Sequence, residues 1–292
     1  MVEIRASRQE EVPAQKQLWK LAFGDEDSYI DYFYQNYYSP ENMMVLVEDG
    51  KLSTMLALFP MTLRAPEGVS ARAAYVYALA TDPAARKKGY GRQILHYLDF
   101  YLRQREVDCV TVVPAEPSLH KFFSSVDFDE CFVTREVELL RELVEPGKAG
   151  DAIAPVDAGA YNRIRDGLLS GERYVAYSDA LVDYQRGLSA MTGTDLFRLT
   201  VDGVEGCCAA EYLDDETVVL KELLIPERQM AGAAALVAGH LPALRYHIRT
   251  PAFWGGLPGS YTQPFGMVKW YSREKERLWG YAAGAYMGFG FD

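Results

Sequence analysis

The sequence predicts a mixed α/β protein of two domains, and three observations carry that expectation. The chain has 292 residues, about two domains' worth at roughly 150 residues each. Its first half contains a strand, a glycine-bearing turn, a helix and a buried strand in succession. An order of helices, hairpin, strand and helix then occurs twice, which suggests a duplicated fold.

The elements follow from local pattern. Val2 to Ser7 alternates apolar and polar residues and reads as an edge strand. Pro13 sits early in an amphipathic run to Phe23, where only a first helical turn tolerates it. Asp27 to Tyr38 reads as a helix too aromatic for one narrow stripe, so both its faces should make contacts. Met43 to Val47 and Leu52 to Phe59 flank Glu48, Asp49, Gly50 and Lys51 as a hairpin, and Met61 to Arg64 reads as a third strand. Ala73 to Ala80 is a strand ending in Thr81, Asp82 and Pro83. Gly91 to Arg105 has helical spacing through Ile94, Leu95, Leu98 and Leu102. Val107 to Val113 is short and nearly all apolar, the pattern of a strand buried on both faces. Ser118 reads as the N-cap of a short helix through Ser125, and Phe128 to Leu139 as a further strand.

Residues 141 to 155 lose hydrophobic periodicity, which places a linker there between domains at 1–140 and 156–292. Beyond it, Tyr161 to Leu169 and Asp179 to Met191 read as helices. Leu196 to Val201 and Cys207 to Tyr212 form a hairpin about Asp202 and Gly203. Val218 to Ile225 is a strand and Met230 to His240 a helix.

Charge and cysteine usage narrow the function. The net charge is −11, and so acidic a surface disfavours nucleic acid and anionic lipid. The four cysteines show neither disulfide nor zinc spacing, so no metal is expected. No stretch is apolar and long enough to span a membrane and no signal peptide is evident, which leads to the expectation of a cytoplasmic protein. The oligomeric state is not legible.

Against this acidic background, Arg86, Lys87, Lys88 and Arg92 stand around Gly89 and Gly91 at the start of a helix. Glycines let a phosphate approach the backbone, and the helix start offers unpaired N–H groups and a favourable dipole. The segment fits neither the P-loop nor the dinucleotide fingerprint. Read without a ligand, it is a solvated cationic helix start.

Arg86-x-x-Gly89-x-Gly91 resembles the pyrophosphate loop of the GNAT superfamily of acyl-CoA-dependent N-acyltransferases. Tyr75 to Pro83 is similar to the strand before that loop, and Val110 to Phe128 to the strand and helix after it. The resemblance covers about residues 1 to 140 and implies a central, mostly antiparallel sheet flanked by helices. It implies that Arg86, Lys87, Lys88, Gly89, Tyr90, Gly91 and Arg92 hold the diphosphate of acetyl-CoA, through backbone N–H groups at Lys88, Gly89, Gly91 and Arg92. Leu79, Ala80 and Thr81 would pair with the pantetheine arm, and an amide near Leu79 would face the thioester oxygen.

The resemblance is imperfect at the acid. Asp127 and Phe128 align with the family's Gly-Phe, which puts Phe123 where a tyrosine usually protonates the departing thiolate. A thiol with a pKa near 8.5 can leave without it. For the base, Glu116 follows the buried strand but also reads as an exposed loop carboxylate. Tyr75 and Tyr77 lie on the cofactor strand and also read as packing residues; His120 is the histidine near the site and also suits a helix surface. Trp279, Tyr281, Tyr286, Phe289 and Phe291 make the tail unusually apolar, so it should be docked. Tandem acetyltransferases similar to the enhanced-intracellular-survival group use a C-terminal carboxylate, which would implicate Asp292; a purely structural tail is the other reading. In the second half, Pro226 to Gly232 occupies the loop position without the cationic run or the second glycine, implying a degenerate GNAT-like domain. Trp254 to Tyr261 reads as a lid or as surface filler.

The expected activity is acetyl transfer from acetyl-CoA to a primary amine of a small molecule or peptide by direct attack on the thioester. Two alternatives stand beside it: a Fem-type aminoacyl or peptidyl transferase, and a non-catalytic CoA-binding protein.

Overall fold

The computed structural model describes residues 1–280 and 284–291. Strand β1 (Val2–Ala6) leads into α1 (Val12–Phe23), which begins with Pro13 in its first turn and stops at Gly24, whose φ of 77° supplies a left-handed cap. Helix α2 (Asp27–Asn36) ends short of Tyr38 because Tyr37 leaves helical geometry at φ −131°. The hairpin is β2 (Met43–Glu48) with β3 (Lys51–Ala65). The break expected before Met61 is absent, and β3 runs through Pro60. The last β2 partner of β3 is Ala57, so the missing proline N–H removes no bond from that ladder.

Next come β4 (Val69–Thr81), α3 (Tyr90–Gln104), β5 (Cys109–Val112), α4 (Pro117–Ser124) and β6 (Asp129–Leu140). Helix α4 starts at Pro117, with Glu116 rather than Ser118 at the N-cap, because proline's fixed φ suits the first helical position. The second half contains β7 (Ala152–Pro155), α5 (Ala158–Leu168), β8 (Tyr174–Ala176), α6 (Asp179–Met191), β9 (Leu196–Val201), β10 (Val204–Asp214), β11 (Thr217–Leu224), α7 (Met230–His240), β12 (Arg245–Pro251), β13 (Tyr261–Trp270) and α8 (Arg273–Trp279). Strand β7 lies inside the segment read as a linker and pairs with β9.

Two compact units emerge: Met1–Thr62 with Ala71–Asp129 and Met267–Arg277, and Leu63–Ser70 with Glu130–Gly266 and Leu278–Asp292. In the first, the strands run β1, β2, β3, β4, β5 and then the end of β13. The β4–β5 pair is parallel, while β13 joins β5 antiparallel with Met267 opposite Val112. Met44, Leu56, Val76, Ile94, Leu98, Val110 and Phe128 form its core. In the second, the order is the start of β13, then β6, β12, β11, β10, β9 and β7. Here β11 and β12 are parallel and joined by α7, the same crossover that α3 makes between β4 and β5. Its core holds Leu199, Leu220, Ala233, Val237 and Ile248. Each unit is thus a mixed sheet with helices, as expected. Strand β6 follows α4 in the chain yet pairs with β12, a choice of partner that strand patterning does not encode.

The apolar tail is docked within the second unit. Ala285 and Tyr286 bridge in parallel to Phe132 and Tyr174, and Phe289 and Phe291 are buried. Tyr281 and Asp292 lie outside the described residues.

Candidate functional site

The site begins where the β4–β5 ladder stops. The pairing runs from Ala73 opposite Cys109 to Val76 opposite Val112. Two residues later Ala78 has a φ of 49°, a left-handed conformation that interrupts the regular strand. On the other side, Pro114 has no N–H with which to extend β5. Past this point β3 still holds β4, through the 3.2 Å contact of the Thr54 and Thr81 hydroxyls and the 2.9 Å bond from Asp82 N to Ser53 O. Leu79, Ala80 and Thr81 therefore lie beyond the β5 ladder, with a backbone edge that an extended amide chain can pair with.

The turn after β4 is held by Asp82, which accepts bonds from Ala84 N at 2.9 Å and Lys51 Nζ at 2.7 Å. Lys51 first and then the Ala84 amide hold the Asp82 carboxyl below its usual range. Lys87 (φ 66°) and Gly89 (φ 79°) are both left-handed. Gly89 is the N-cap of α3, so the N–H groups of Tyr90, Gly91 and Arg92 form its first turn and have no intrahelical acceptor. The two glycines serve different purposes. A Cβ on Gly89 would meet nothing within 4 Å, so the backbone angle alone requires it; a Cβ on Gly91 would stand 3.4 Å from the Phe122 ring.

The four cations are not equivalent. Arg86 and Lys87 are exposed. Lys88 Nζ lies 2.8 Å from Glu48, which also accepts the Tyr90 hydroxyl at 2.5 Å. Lys88 and then Tyr90 push the Glu48 carboxyl down, and Glu48 raises Lys88. The Arg92 guanidinium donates to Ser125 O at 2.9 Å and Oγ at 3.0 Å, tying the start of α3 to the end of α4. Glu48 and Ser125 were missed in the sequence, where Glu48 reads only as a turn residue and Ser125 only as the end of a short helix.

The acid and base candidates lie in different settings. Phe123 is buried against Phe122 and Phe128 at ring distances of 5.2 and 5.5 Å, so its position carries no proton donor. Asp127 takes the left-handed angle its alignment with glycine demands, φ 68°. Its carboxylate stands 3.6 Å from Lys269 Nζ. Glu116 is exposed and within 3.3 Å of the Ser118 hydroxyl, while His120 is half-buried on α4. Tyr75 and Tyr77 are buried in an aromatic cluster with Phe59, Phe33 and Trp19. The Tyr77 hydroxyl is 2.5 Å from that of Tyr29, so α2 supplies a polar partner inside that cluster. Burial also raises the Tyr37 hydroxyl, to about 12.

The counterpart in the second unit differs. After β11 the chain reads Pro226, Glu227, Arg228 and Gln229 before α7, whose N-cap Gln229 has φ −96°, without a left-handed glycine. Higher on β11, Glu222 is fully buried and receives Arg165 Nε at 3.0 and 3.1 Å and the Tyr161 hydroxyl at 2.9 Å. Arg165 also donates to Val175 O at 2.7 Å and Met287 O at 3.4 Å, and Tyr177 donates to Met287 O at 2.5 Å. Gly288 passes so close that a Cβ would lie 2.6 Å from Arg165 and Glu222. A buried ion pair thus grips the tail just before its end. Among the described residues no group of metal-ligating side chains occurs, and no helix is long and apolar enough to cross a membrane.

Residues 3–125 match the acetyltransferase (GNAT) domain family. No curated protein matches the sequence. The fold is similar to that of a GCN5-related N-acetyltransferase from Anabaena variabilis, with a TM-score of 0.72 at 13% identity over 92% of this chain and 72% of the other. It is similar to Eis1 from Mycobacterium abscessus, with a TM-score of 0.62 at 12% identity over 92% and 73%. It also resembles a tandem GNAT protein of the clavulanic acid biosynthesis pathway, with a TM-score of 0.55 at 13% identity over 92% and 98%.

Proposed function

We propose that this chain, which carries a GNAT acetyltransferase domain over residues 3–125, transfers an acetyl group from acetyl-CoA to a primary amine by direct attack on the thioester. One observation carries the reading: a left-handed Gly89 opens the first turn of α3 directly after β4 has lost its β5 partner. Bare amides at a helix start suit a diphosphate, and a bare strand edge suits the amides of pantetheine.

In this reading, backbone N–H groups of Lys88, Gly89, Gly91 and Arg92 cradle the diphosphate, with Arg86 and Lys87 adding charge and Tyr90 fixing the loop. Leu79, Ala80 and Thr81 pair with the pantetheine arm. The amide near Leu79 stabilises the oxyanion of the tetrahedral intermediate, where one such donor is worth about 2.7–4 kcal/mol. The attacking amine loses its proton to one of three groups: the Glu116 carboxylate, Tyr77 acting as its phenolate, or the terminal carboxylate of Asp292. The thiolate leaves unprotonated past Phe123 and takes a proton from solvent.

The hydroxyl-free Phe123 favours a second reading, a CoA-binding protein without turnover. Release of free thiol from acetyl-CoA in the presence of a panel of amines separates the two. Amine-dependent release supports the transferase, whereas tight acetyl-CoA binding with no release under any amine supports the second.

A further inference from the structure

A cavity of about 370 Å³ lies wholly within the second unit and is lined by Leu168, Pro226, Glu227, Phe253, Trp254 and Gly255. It falls within the usual range for small-molecule sites. Its lining combines two aromatic rings and a carboxylate. Phe253 and Trp254 stand at 90° with centroids 5.9 Å apart, so they present differently oriented surfaces to the same space. The Phe253 ring is backed by the buried Tyr286 ring at 6.5 Å and 82°.

The loop that brings these groups together is braced. Arg135 donates to Trp254 O at 2.9 Å, Ala252 O at 3.3 Å and Ser260 Oγ at 3.3 Å. Gly255 and Gly256 permit the approach: a Cβ on Gly255 would fall 2.1 Å from the Glu227 carboxyl, and one on Gly256 would fall 2.4 Å from Arg135 and Ser260. The two glycines thus let one loop close on an arginine that holds it and on a carboxylate that faces its other side. Glu227 is exposed, and no ion pair among the described residues engages it.

We propose that this cavity binds an organic ammonium ion. Ring faces attract such a cation through their quadrupoles, and the Glu227 carboxylate supplies the counter-charge. The neighbouring Arg135 and Arg228 charges oppose entry, and the hydrogen bonds of Arg135 to neutral oxygens position it without cancelling its charge. A cation is favoured over a neutral ligand of the same shape by the difference between these terms, so binding is expected in the millimolar range.

Choline titrated into the full chain, with its uncharged isostere 3,3-dimethylbutan-1-ol as the control, tests the proposal by NMR shift perturbation. Choline is expected to saturate, with the isostere roughly tenfold weaker. Glu227→Gln should weaken choline alone, and Phe253→Leu should weaken it without loss of fold. Equal binding of choline and the isostere, unchanged choline binding in Glu227→Gln, or no saturation at millimolar choline would overturn it.

Discussion

Val76 and Val112 are the last partners of the parallel β4–β5 ladder, and the proposed acetyl-CoA site lies just beyond them. Ala78 breaks the regular strand at φ 49°, and the segment that follows leads to the exposed first turn of α3. The arrangement converts a sheet interior into a slot with one bare wall.

Lys88 shares Glu48 with Tyr90, so an anion reaching the loop competes with a carboxylate already in place. Glu48→Gln is expected to strengthen acetyl-CoA binding by roughly threefold at low salt, because the lysine charge is freed. The gain should shrink as ionic strength rises. Calorimetric titrations at two salt concentrations measure both parts; weaker binding in the variant would mean that Glu48 acts as an organiser of the loop.

The described part of the tail is buried as far as Phe291, the residue before the proposed base Asp292. Extending the chain by one glycine after Asp292 is expected to lower kcat by roughly tenfold or more and leave the acetyl-CoA Kd unchanged. Deleting Phe291 and Asp292 should also lower turnover more than affinity, with about 3 kcal/mol of lost stability because Phe291 packs on Tyr177 and Tyr184. Equal kinetics in the extended chain would remove the tail from the chemistry.

Arg165 and Glu222 are both fully buried. Replacing only Arg165 by Met strands a carboxylate and is expected to cost about 3–5 kcal/mol. Adding Glu222→Leu should recover part of that loss, although Tyr161 then lacks its acceptor. Denaturant unfolding of the single and double variants checks the coupling.

Glu11 sets an acid limit. The Arg5 guanidinium grips it at 2.6 and 2.9 Å and, aided by the Arg8 amide, holds its carboxyl below the ordinary value of 4.5. The unfolded chain therefore binds the proton more readily. The contribution is complete above pH 4.5 and is lost as pH falls through the lower folded-state value. Glu11→Gln should flatten the fall in Tm between pH 5 and pH 3; an unchanged slope would assign the acid sensitivity to other carboxylates.

Much of the site was legible because its requirements are local. A left-handed backbone at a helix start demands glycine at 89, and cations in an acidic chain stand out at 86 to 88. The hairpin, the β4–α3–β5 crossover and the β11 strand with the α7 helix after it follow from apolar periodicity and turn residues. What escaped depends on distant partners. Glu48, Ser125 and Tyr29 gain their roles from residues far along the chain, and β12 and β13 carry proline, charge or glycine that dilutes a strand signal. The pairing of β6 with β12 and of β13 with β5 is a choice among similar strands. The Arg165–Glu222 pair was invisible because each residue alone reads as a surface charge.

The central claim is that the first turn of α3 holds the diphosphate of acetyl-CoA. Isothermal titration of acetyl-CoA into the full chain and into Gly89→Glu tests it most directly. Gly89 has open space around it, so the variant should fold with only about 1–2 kcal/mol of backbone strain while placing a carboxylate where the phosphates would sit. The account predicts saturable binding to the native chain and none to folded Gly89→Glu; equal affinity in both, or no heat from the native chain at millimolar acetyl-CoA, would contradict it.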